Sequence, residues 1–386
     1  MTSIGYMRFN LPIDLDYSRA SINTKGTDRR LGILEALVLQ GFEVKIYSHV
    51  SSKPHKHSLL SMYDNINENE INYGFLDKIA LEENARKPDC DVLFIENGPT
   101  NTSFRYPDRH NLYPHLNGEV SYIYRTFDMI DKFEGLVVYF QHDSSLYFPF
   151  GEIGRKVTNS PISFGSMTAK MDLYKNKHYK LVTTANAEKM IEKFSKLKRP
   201  SYSHFESWQH IPVCYSKNID KPRMPKTNPQ WDVAYVGTQD KFRLKQLEML
   251  LKDIQNGAII GKWNAQVCNM QMLGQRGKHA DVYKFYNNAF VGLQIPNKLD
   301  MELDNMTSRL VQIICGGSVA LVSNYSEDVI NEYGLNNYVV NSAAELKVKV
   351  AEVKSLSLEQ RQKLNIQQLS KLKQWVEVDW KQILRE

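Results

Sequence analysis

DVAYVGTQDKFRLKQLEMLL, running from Asp232 to Leu251, reads as a strand, a Gly-Thr turn and a basic helix. The apolar run Val233–Val236 gives the strand, and the spacing of apolar residues predicts a helix over Leu244–Ile254. Backbone N–H groups freed at a helix start carry a partial positive charge, so such a turn is a natural seat for a phosphate. Gly237 lets a diphosphate approach the backbone, Thr238 offers a hydroxyl donor, and Lys241 or Arg243 can neutralise phosphate charge. An ordinary strand-to-helix turn with a solvated basic face explains the same letters.

The pattern continues on both sides. Downstream come strands at Ala258–Ile260, Phe290–Ile295 and Ser318–Ser323, helices at Tyr283–Asn288 and around Thr307–Cys315, and a final helical stretch from Leu358 to Leu384. Upstream, short β-rich runs at Ser3–Phe9, Glu43–His49, Val92–Glu96, Leu136–Phe140 and Lys180–Thr184 flank a helix at Arg29–Gln40 that stops at Gly41. Strand–helix–strand repetition implies parallel sheets with right-handed crossovers, and such sheets bind ligands at the carboxyl ends of their strands. Between the two series lies IDKPRMPKTNPQ, Ile219 to Gln230, a proline-rich, basic boundary loop. The expected fold class is therefore α/β with two doubly wound, Rossmann-like halves. The tail is amphipathic, with Leu369, Leu372, Trp375, Val376 and Trp380 forming an apolar stripe that needs a partner surface.

Bulk properties narrow the function. At 386 residues the chain exceeds what one core usually serves. It is 42% hydrophobic and 24% charged, a balance typical of folded globular proteins. The absence of a long apolar run and of a basic, apolar leader at the start leads to the expectation of a protein outside the membrane and secretory pathway. Cys90, Cys214, Cys268 and Cys315 are scattered, form no metal-ligand spacing, and read as reduced thiols. A net charge of +6 permits a polyanionic partner without the asymmetry of a dedicated nucleic-acid binder.

Other clusters bear on chemistry. In DNMTSRLVQIICGGSVALVSN, Asp304 to Asn324, Arg309 near a helix start can place a guanidinium against a diphosphate, and Gln312, one turn on, can bond a ribose hydroxyl. Gly316 and Gly317 end that helix; as an alternative, Arg309 is an ordinary surface residue. In VVYFQHDSSLYFPF, Val137 to Phe150, an apolar strand ends on His142 and Asp143, and an aspartate there can take the proton of an attacking hydroxyl. A turn cap accounts for Asp143 as well, and His142 reads equally as a packed histidine. Asp28, in NTKGTDRR, is a candidate sugar or acceptor contact, though helix capping explains Thr27 and Asp28 equally. Arg105, Arg109, Arg155 and Lys156 sit among aromatic residues that can stack on bases.

Taken together, DVAYVGT with Arg243, the later Asp304, Asn305, Arg309 and Gln312, and FQHD make the chain resemble the bacteriophage DNA glycosyltransferases. The β-glucosyltransferase branch matches best, and FQHD is very similar to the YQHD of the α-glucosyltransferase branch, which leaves both inverting and retaining chemistry open. The resemblance implies a GT-B fold, with two Rossmann-like domains facing a cleft. Residues 1–215 would receive acceptor and carry the base, 216–370 would hold the nucleotide sugar, and 371–386 would form a helix crossing back. It implies a UDP-sugar co-substrate held by Gly237, Thr238, Arg243 and Arg309, with Gln312, where the family has Glu, at the ribose; Lys241 and Gly261 are further expected donor contacts. Asp28 and Asn305 would lie near sugar or acceptor, and Asp143, with His142, at the catalytic centre. The implied acceptor is the hydroxymethyl group of 5-hydroxymethylcytosine, or a related pyrimidine, in duplex DNA, for which the basic Arg105, Arg109, Arg155 and Lys156 are the expected phosphate contacts. A monomer working in the infected cell's cytoplasm, with Mg²⁺ or Mn²⁺ as an optional aid, completes the expectation. A GT-B enzyme acting on a glycan, lipid or protein, and a non-catalytic nucleotide- or DNA-binding module, are the alternatives.

Overall fold

The computed structural model describes residues 2–8, 27–48, 75, 78–83, 85, 87–96, 129–130, 132–141, 179–195, 205–217, 221–274 and 282–384. Seven strands form the first sheet: β1 (Ser3–Arg8), β2 (Glu43–Ser48), β3 (Ile79–Glu83), β4 (Val92–Glu96), β5 (Leu136–Gln141), β6 (Tyr179–Thr183) and β7 (Phe205–His210). They lie in the order β3-β2-β1-β4-β5-β6-β7, every pairing parallel. Helices α1 (Thr27–Leu39) and α2 (Ala187–Ser195) belong to this half. The second sheet contains β8 (Trp231–Val236), β9 (Gly257–Ile260), β10 (Gln271–Met272), β11 (Ala289–Gln294) and β12 (Val319–Val322), ordered β10-β9-β8-β11-β12 and again parallel. Its helices are α3 (Lys241–Leu251), α4 (Val282–Asn287), α5 (Lys298–Glu302), α6 (Arg309–Cys315), α7 (Glu327–Glu332), α8 (Ala343–Ser355) and α9 (Leu358–Leu369).

Burial on both faces explains why the central strands read so plainly. VLFIE of β4 is buried at every position, as is GAII of β9, because apolar clusters cover each sheet on two sides. In each sheet the strand order reverses once, between β1 and β4 and between β8 and β11. At such a switch point the crossovers leave in opposite directions and open a crevice beyond the strand ends.

The proline-rich boundary loop is fastened to the second half. Arg361 on α9 donates to the Lys226 and Thr227 carbonyls at 2.9 and 3.2 Å, and the Arg223 N–H donates to the Cys315 carbonyl at 2.9 Å.

The tail differs from the expected continuous helix. α9 ends at Leu369, a 3-10 turn occupies Trp375–Glu377, and a short helix, α10 (Trp380–Ile383), follows. The break has a backbone cause: the Tyr215 N–H donates to the Lys373 carbonyl at 3.1 Å and the Trp375 N–H to the Tyr215 carbonyl at 3.0 Å, which commits these residues to extended pairing. The apolar stripe finds its partner surface in two places. Leu369 and Leu372 join the second half's core, whereas Trp375, Val378, Trp380, Ile383 and Leu384 join the core of the first. Trp380 is fully buried and meets the Phe94 ring edge-on at 5.7 Å, and Trp375 meets Phe140 at 6.0 Å. A Cβ on Gly32 of α1 would lie 2.3 Å from the Trp375 ring, so only glycine lets the indole lie against that helix. Gln40 closes the arrangement, donating to the Val376 and Val378 carbonyls at 3.1 and 2.7 Å and accepting from the Trp380 N–H at 3.1 Å.

Replacing Trp380 by alanine leaves a large cavity in the first half's core and should cost about 3–5 kcal/mol of stability. Urea denaturation of the full chain checks this, with a smaller drop expected for Val376→Ala, which is only partly buried.

Candidate functional site

β8 and β11 flank the second sheet's switch point, and the loops leaving their carboxyl ends carry the polar groups. After β8 comes 237–240, then α3, whose N-cap Asp240 accepts from the Arg243 N–H at 2.9 Å. Gly237 donates its N–H to the Ile260 carbonyl at 3.0 Å and accepts from Trp263 Nε1 at 2.7 Å, and Gln239 donates to the Lys262 carbonyl at 3.1 Å. The loops after β8 and β9 are thus zipped together. Two glycines make that possible: a Cβ on Gly261, at φ +153°, would sit 1.8 Å from the Gly237 carbonyl oxygen, and one on Gly237 would strike the Tyr235 hydroxyl at 2.6 Å. The Gly237 amide is consequently occupied by a protein partner, and the charge available to an anion comes from side chains. Thr238 and Lys241 are exposed at this edge.

Two arginines converge here. Arg309 is the first residue of α6 and only 8% exposed, which removes the surface-residue alternative. Its Nη1 donates to Gln312 Oε1, one helical turn on, and Gln312 is itself buried. Burial, with Arg243 adding to it, lowers the Arg309 pKa from the ordinary guanidinium value; an arginine nevertheless stays charged at neutral pH. Arg243, with a side chain 15% exposed, reaches Asp240 Oδ2 at 3.5 Å and Asp300 Oδ2 at 3.9 Å, yet its buried Nε makes no hydrogen bond. Gln294, at the end of β11, donates to Thr307 Oγ1 at 3.0 Å and to the Tyr325 hydroxyl at 2.6 Å, fixing the loop that delivers Arg309. Burial raises the pKa of Tyr235 and Tyr325, so both remain neutral hydroxyls beside the arginines.

The loop between α5 and α6 also meets the first half. Asn305, fully buried, donates to Asp300 Oδ1 at 2.8 Å and accepts from Thr184 Oγ1 at 3.0 Å. Asp304 takes a left-handed φ of 49° and pairs with Lys189 of α2. His210, at the end of β7, places its two ring nitrogens 2.9 Å from the Ala185 carbonyl and 2.9 Å from Glu332 Oε1. Sequence reasoning did not single out Asp300, Gln294, Thr184, His210 or Glu332; their signal is positional, a polar residue at a strand end or beside a short helix.

In the first half, β5 ends at Gln141, at the carboxyl edge of the sheet, and His142 and Asp143 follow it outside the described residues. Arg105, Arg109, Arg155 and Lys156 also lie outside them, and Asp28 falls in α1 at a position whose side chain is likewise outside them. Among the described residues, no three His, Cys, Asp or Glu side chains gather as a cation site, and no helix is long and apolar enough to cross a membrane.

No family model matches the chain, and no curated protein matches it in sequence. Solved structures do match over its whole length, and they define the architecture as GT-B, two Rossmann-like units. Among them is the T4 phage β-glucosyltransferase in complex with its substrate UDP-glucose, 14% identical over 100% of both chains with a TM-score of 0.63. The same enzyme with UDP and Mn²⁺ matches at 15% identity over 100% of both chains and a TM-score of 0.61. An α-glucosyltransferase bound to UDP and a 13-mer DNA containing an HMU base shares 10% identity over 99% of this chain and 98% of that one, with a TM-score of 0.57. At these identities the shared property is the fold.

Gly261→Ala should destabilise the protein by at least about 2 kcal/mol, since the left-handed backbone and the Gly237 carbonyl both oppose a side chain; thermal melting reads this directly. A pH effect follows from His210. Burial opposes its charge, but Glu332 and the Ala185 carbonyl outweigh burial and raise its pKa. A raised folded pKa stabilises fully below the unfolded value of about 6.5, and the gain fades as pH climbs through the folded pKa. Wild type should therefore lose stability relative to Glu332→Gln as pH rises above about 6.5, by less than about 1 kcal/mol because both partners are about one-third exposed.

Proposed function

We propose that the chain is a UDP-sugar-dependent glycosyltransferase that modifies DNA, moving a sugar to the hydroxymethyl group of 5-hydroxymethylcytosine or a related pyrimidine. The observation that carries the reading is the pair of arginines, Arg309 buried and Arg243 partly buried, at the switch point of the second sheet of a GT-B fold. A diphosphate carries the charge and acceptor oxygens that two incompletely satisfied guanidiniums require. The α-glucosyltransferase of like fold is bound to UDP and HMU-containing DNA, and the T4 enzyme to UDP-glucose, which supports both donor and acceptor classes.

In this mechanism residues 216–370 hold the donor and 1–215 receive the flipped-out base, while 371–386 cross back to the first unit. Arg243 and Arg309 bind the diphosphate, with Thr238 and Lys241 at its exposed edge. Gly237 and Gly261 keep the two loops close enough to leave that space open, and Gln312 reaches the ribose. The Asp143 carboxylate removes the acceptor hydroxyl's proton, assisted by His142. The freed oxygen pair bonds to the sugar's anomeric carbon as the bond from that carbon to the phosphate oxygen breaks. UDP leaves with that electron pair, and the arginines receive the charge it develops. Asp28 serves sugar and acceptor; Asn305, buried with both amide atoms bonded within the protein, acts only through the residues it joins. Arg105, Arg109, Arg155 and Lys156 contact phosphates of the duplex. Mg²⁺ or Mn²⁺ is assigned no step. The enzyme works as a monomer in the cytoplasm of an infected cell, where the product protects phage DNA from host nucleases.

The test is mass analysis of nucleosides from 5-hydroxymethylcytosine DNA incubated with the protein and a panel of UDP-sugars. A hexose or pentose increment on that base is expected; no increment with any donor, while UDP still binds, would sink the DNA acceptor and redirect the search to glycan, lipid or protein acceptors. Arg309→Ala should weaken UDP binding by about 100-fold, the equivalent of losing about two charge-assisted hydrogen bonds. Asp143→Asn should abolish transfer while leaving UDP and DNA binding intact.

A further inference from the structure

Asp300 stands between the donor-side arginine and the first half of the molecule. It is buried near the N-terminus of α5, with its backbone N–H held by Asn297 Oδ1 at 2.7 Å. One carboxylate oxygen lies 3.9 Å from Arg243 Nη2, and the other accepts a 2.8 Å hydrogen bond from Asn305 Nδ2. The Asn305 N–H donates back to the Asp300 carbonyl at 2.8 Å, so the two residues are locked in register. Asn305 Oδ1 accepts from Thr184 Oγ1, which sits just beyond β6 in the first half. A continuous series of contacts, Arg243–Asp300–Asn305–Thr184, therefore joins the first turn of α3 to the carboxyl edge of the other sheet. The Asn186 N–H to Leu303 carbonyl bond, at 2.8 Å, holds the backbones together beside it.

The distances around Arg243 show what kind of hold this is. Its carboxylate neighbours lie at 3.5 and 3.9 Å, ion-pair separations longer than hydrogen bonds, and Nε makes no hydrogen bond. The guanidinium is thus oriented without being saturated, the state in which a preorganised cation still has donors to give to an anion.

We propose that Asp300 is a positioning residue for the transfer reaction: it aims Arg243 at the donor diphosphate and, through Asn305 and Thr184, fixes the donor against the half that carries the acceptor. The inference rests on the reading of the second-sheet crevice as the nucleotide-sugar site. It separates two effects that a purely structural carboxylate would not separate. Loss of the Asp300 charge misdirects Arg243 and weakens donor binding, whereas loss of the Thr184 hydroxyl leaves the donor seat intact and disturbs its placement against the acceptor.

The experiment uses the full chain with UDP, a transferable UDP-sugar and 5-hydroxymethylcytosine DNA. UDP affinity is measured by calorimetry, and donor KM and kcat by transfer kinetics. Asp300→Asn keeps an oxygen for Asn305 but removes the charge, and should raise the UDP Kd and donor KM about 10-fold. Asp300→Glu, which restores the charge, should recover part of that loss. Thr184→Val should leave the UDP Kd within about 2-fold of wild type and lower kcat about 10-fold. Wild-type Kd, KM and kcat in Asp300→Asn and Thr184→Val, with melting temperatures lowered, would overturn the proposal and leave Asp300 a structural residue. If Asp300→Asn fails to fold, Thr184→Val decides: unchanged kcat overturns the link, reduced kcat at unchanged Kd supports it. Failure of the wild-type protein to bind UDP is a different result, because it removes the donor-site reading itself.

Discussion

Two positive charges at one switch point, Arg309 buried and Arg243 partly buried, set the terms for the second half. Removing a guanidinium from water costs several kcal/mol unless opposite charge or hydrogen bonds replace the solvent. Arg243 has two carboxylates at ion-pair distance, but Arg309 has the neutral amide of Gln312 and the repulsion of Arg243. The surroundings reduce the cost without cancelling it. Glycines at 237 and 261 bring the β8 and β9 loops together, and Gln294 pins the loop ahead of α6, so neither arginine gains by swinging out to water. A rigid frame around an incompletely neutralised pair of cations favours a doubly charged ligand over water.

The two halves are joined by ties of different strength. The tail inserts Trp375 and Trp380 into the first core, burying large aromatic surface whose removal would cost several kcal/mol. At the carboxyl edges the ion pairs of Lys189 with Asp304 and His210 with Glu332 are partly exposed and contribute far less, but the buried Thr184–Asn305–Asp300 hydrogen bonds and Leu303, fully buried in the first half's core, add to them. The tail and the buried contacts around Asn305 and Leu303 therefore hold the two units together at two places, with the exposed ion pairs adding little.

Much of the fold was legible in the sequence because central parallel strands are buried on both faces and so appear as short unbroken apolar runs. VLFIE, LVVYFQ and GAII announce themselves in this way. IALEE and FESWQH do not; these are β3 and β7, the two edge strands of the first sheet, with charged or polar residues interrupting the apolar run. Periodicity also misled at the tail, where the spacing of Leu369, Leu372, Trp375 and Trp380 suits a helix but the chain spends residues 373–375 pairing with Tyr215. At the site, Arg309 and Gln312 were visible because a helix places residues three apart on one side. Asp300 and Thr184 were not, since they meet across 116 residues of sequence only through Asn305, a contact that the tertiary fold alone creates.

Gln312 shows how one atom type tunes the site. A carboxylate at this position would neutralise Arg309 and turn the pair into a strong internal ion bridge, competing with any anion for the same guanidinium. The amide oxygen still accepts from Nη1 and still orients the arginine, but it leaves the charge uncompensated. Such a site should hold an anion more tightly than an acid-bearing one. The amide at position 312 therefore keeps Arg309 aimed while leaving its charge to meet an anionic ligand.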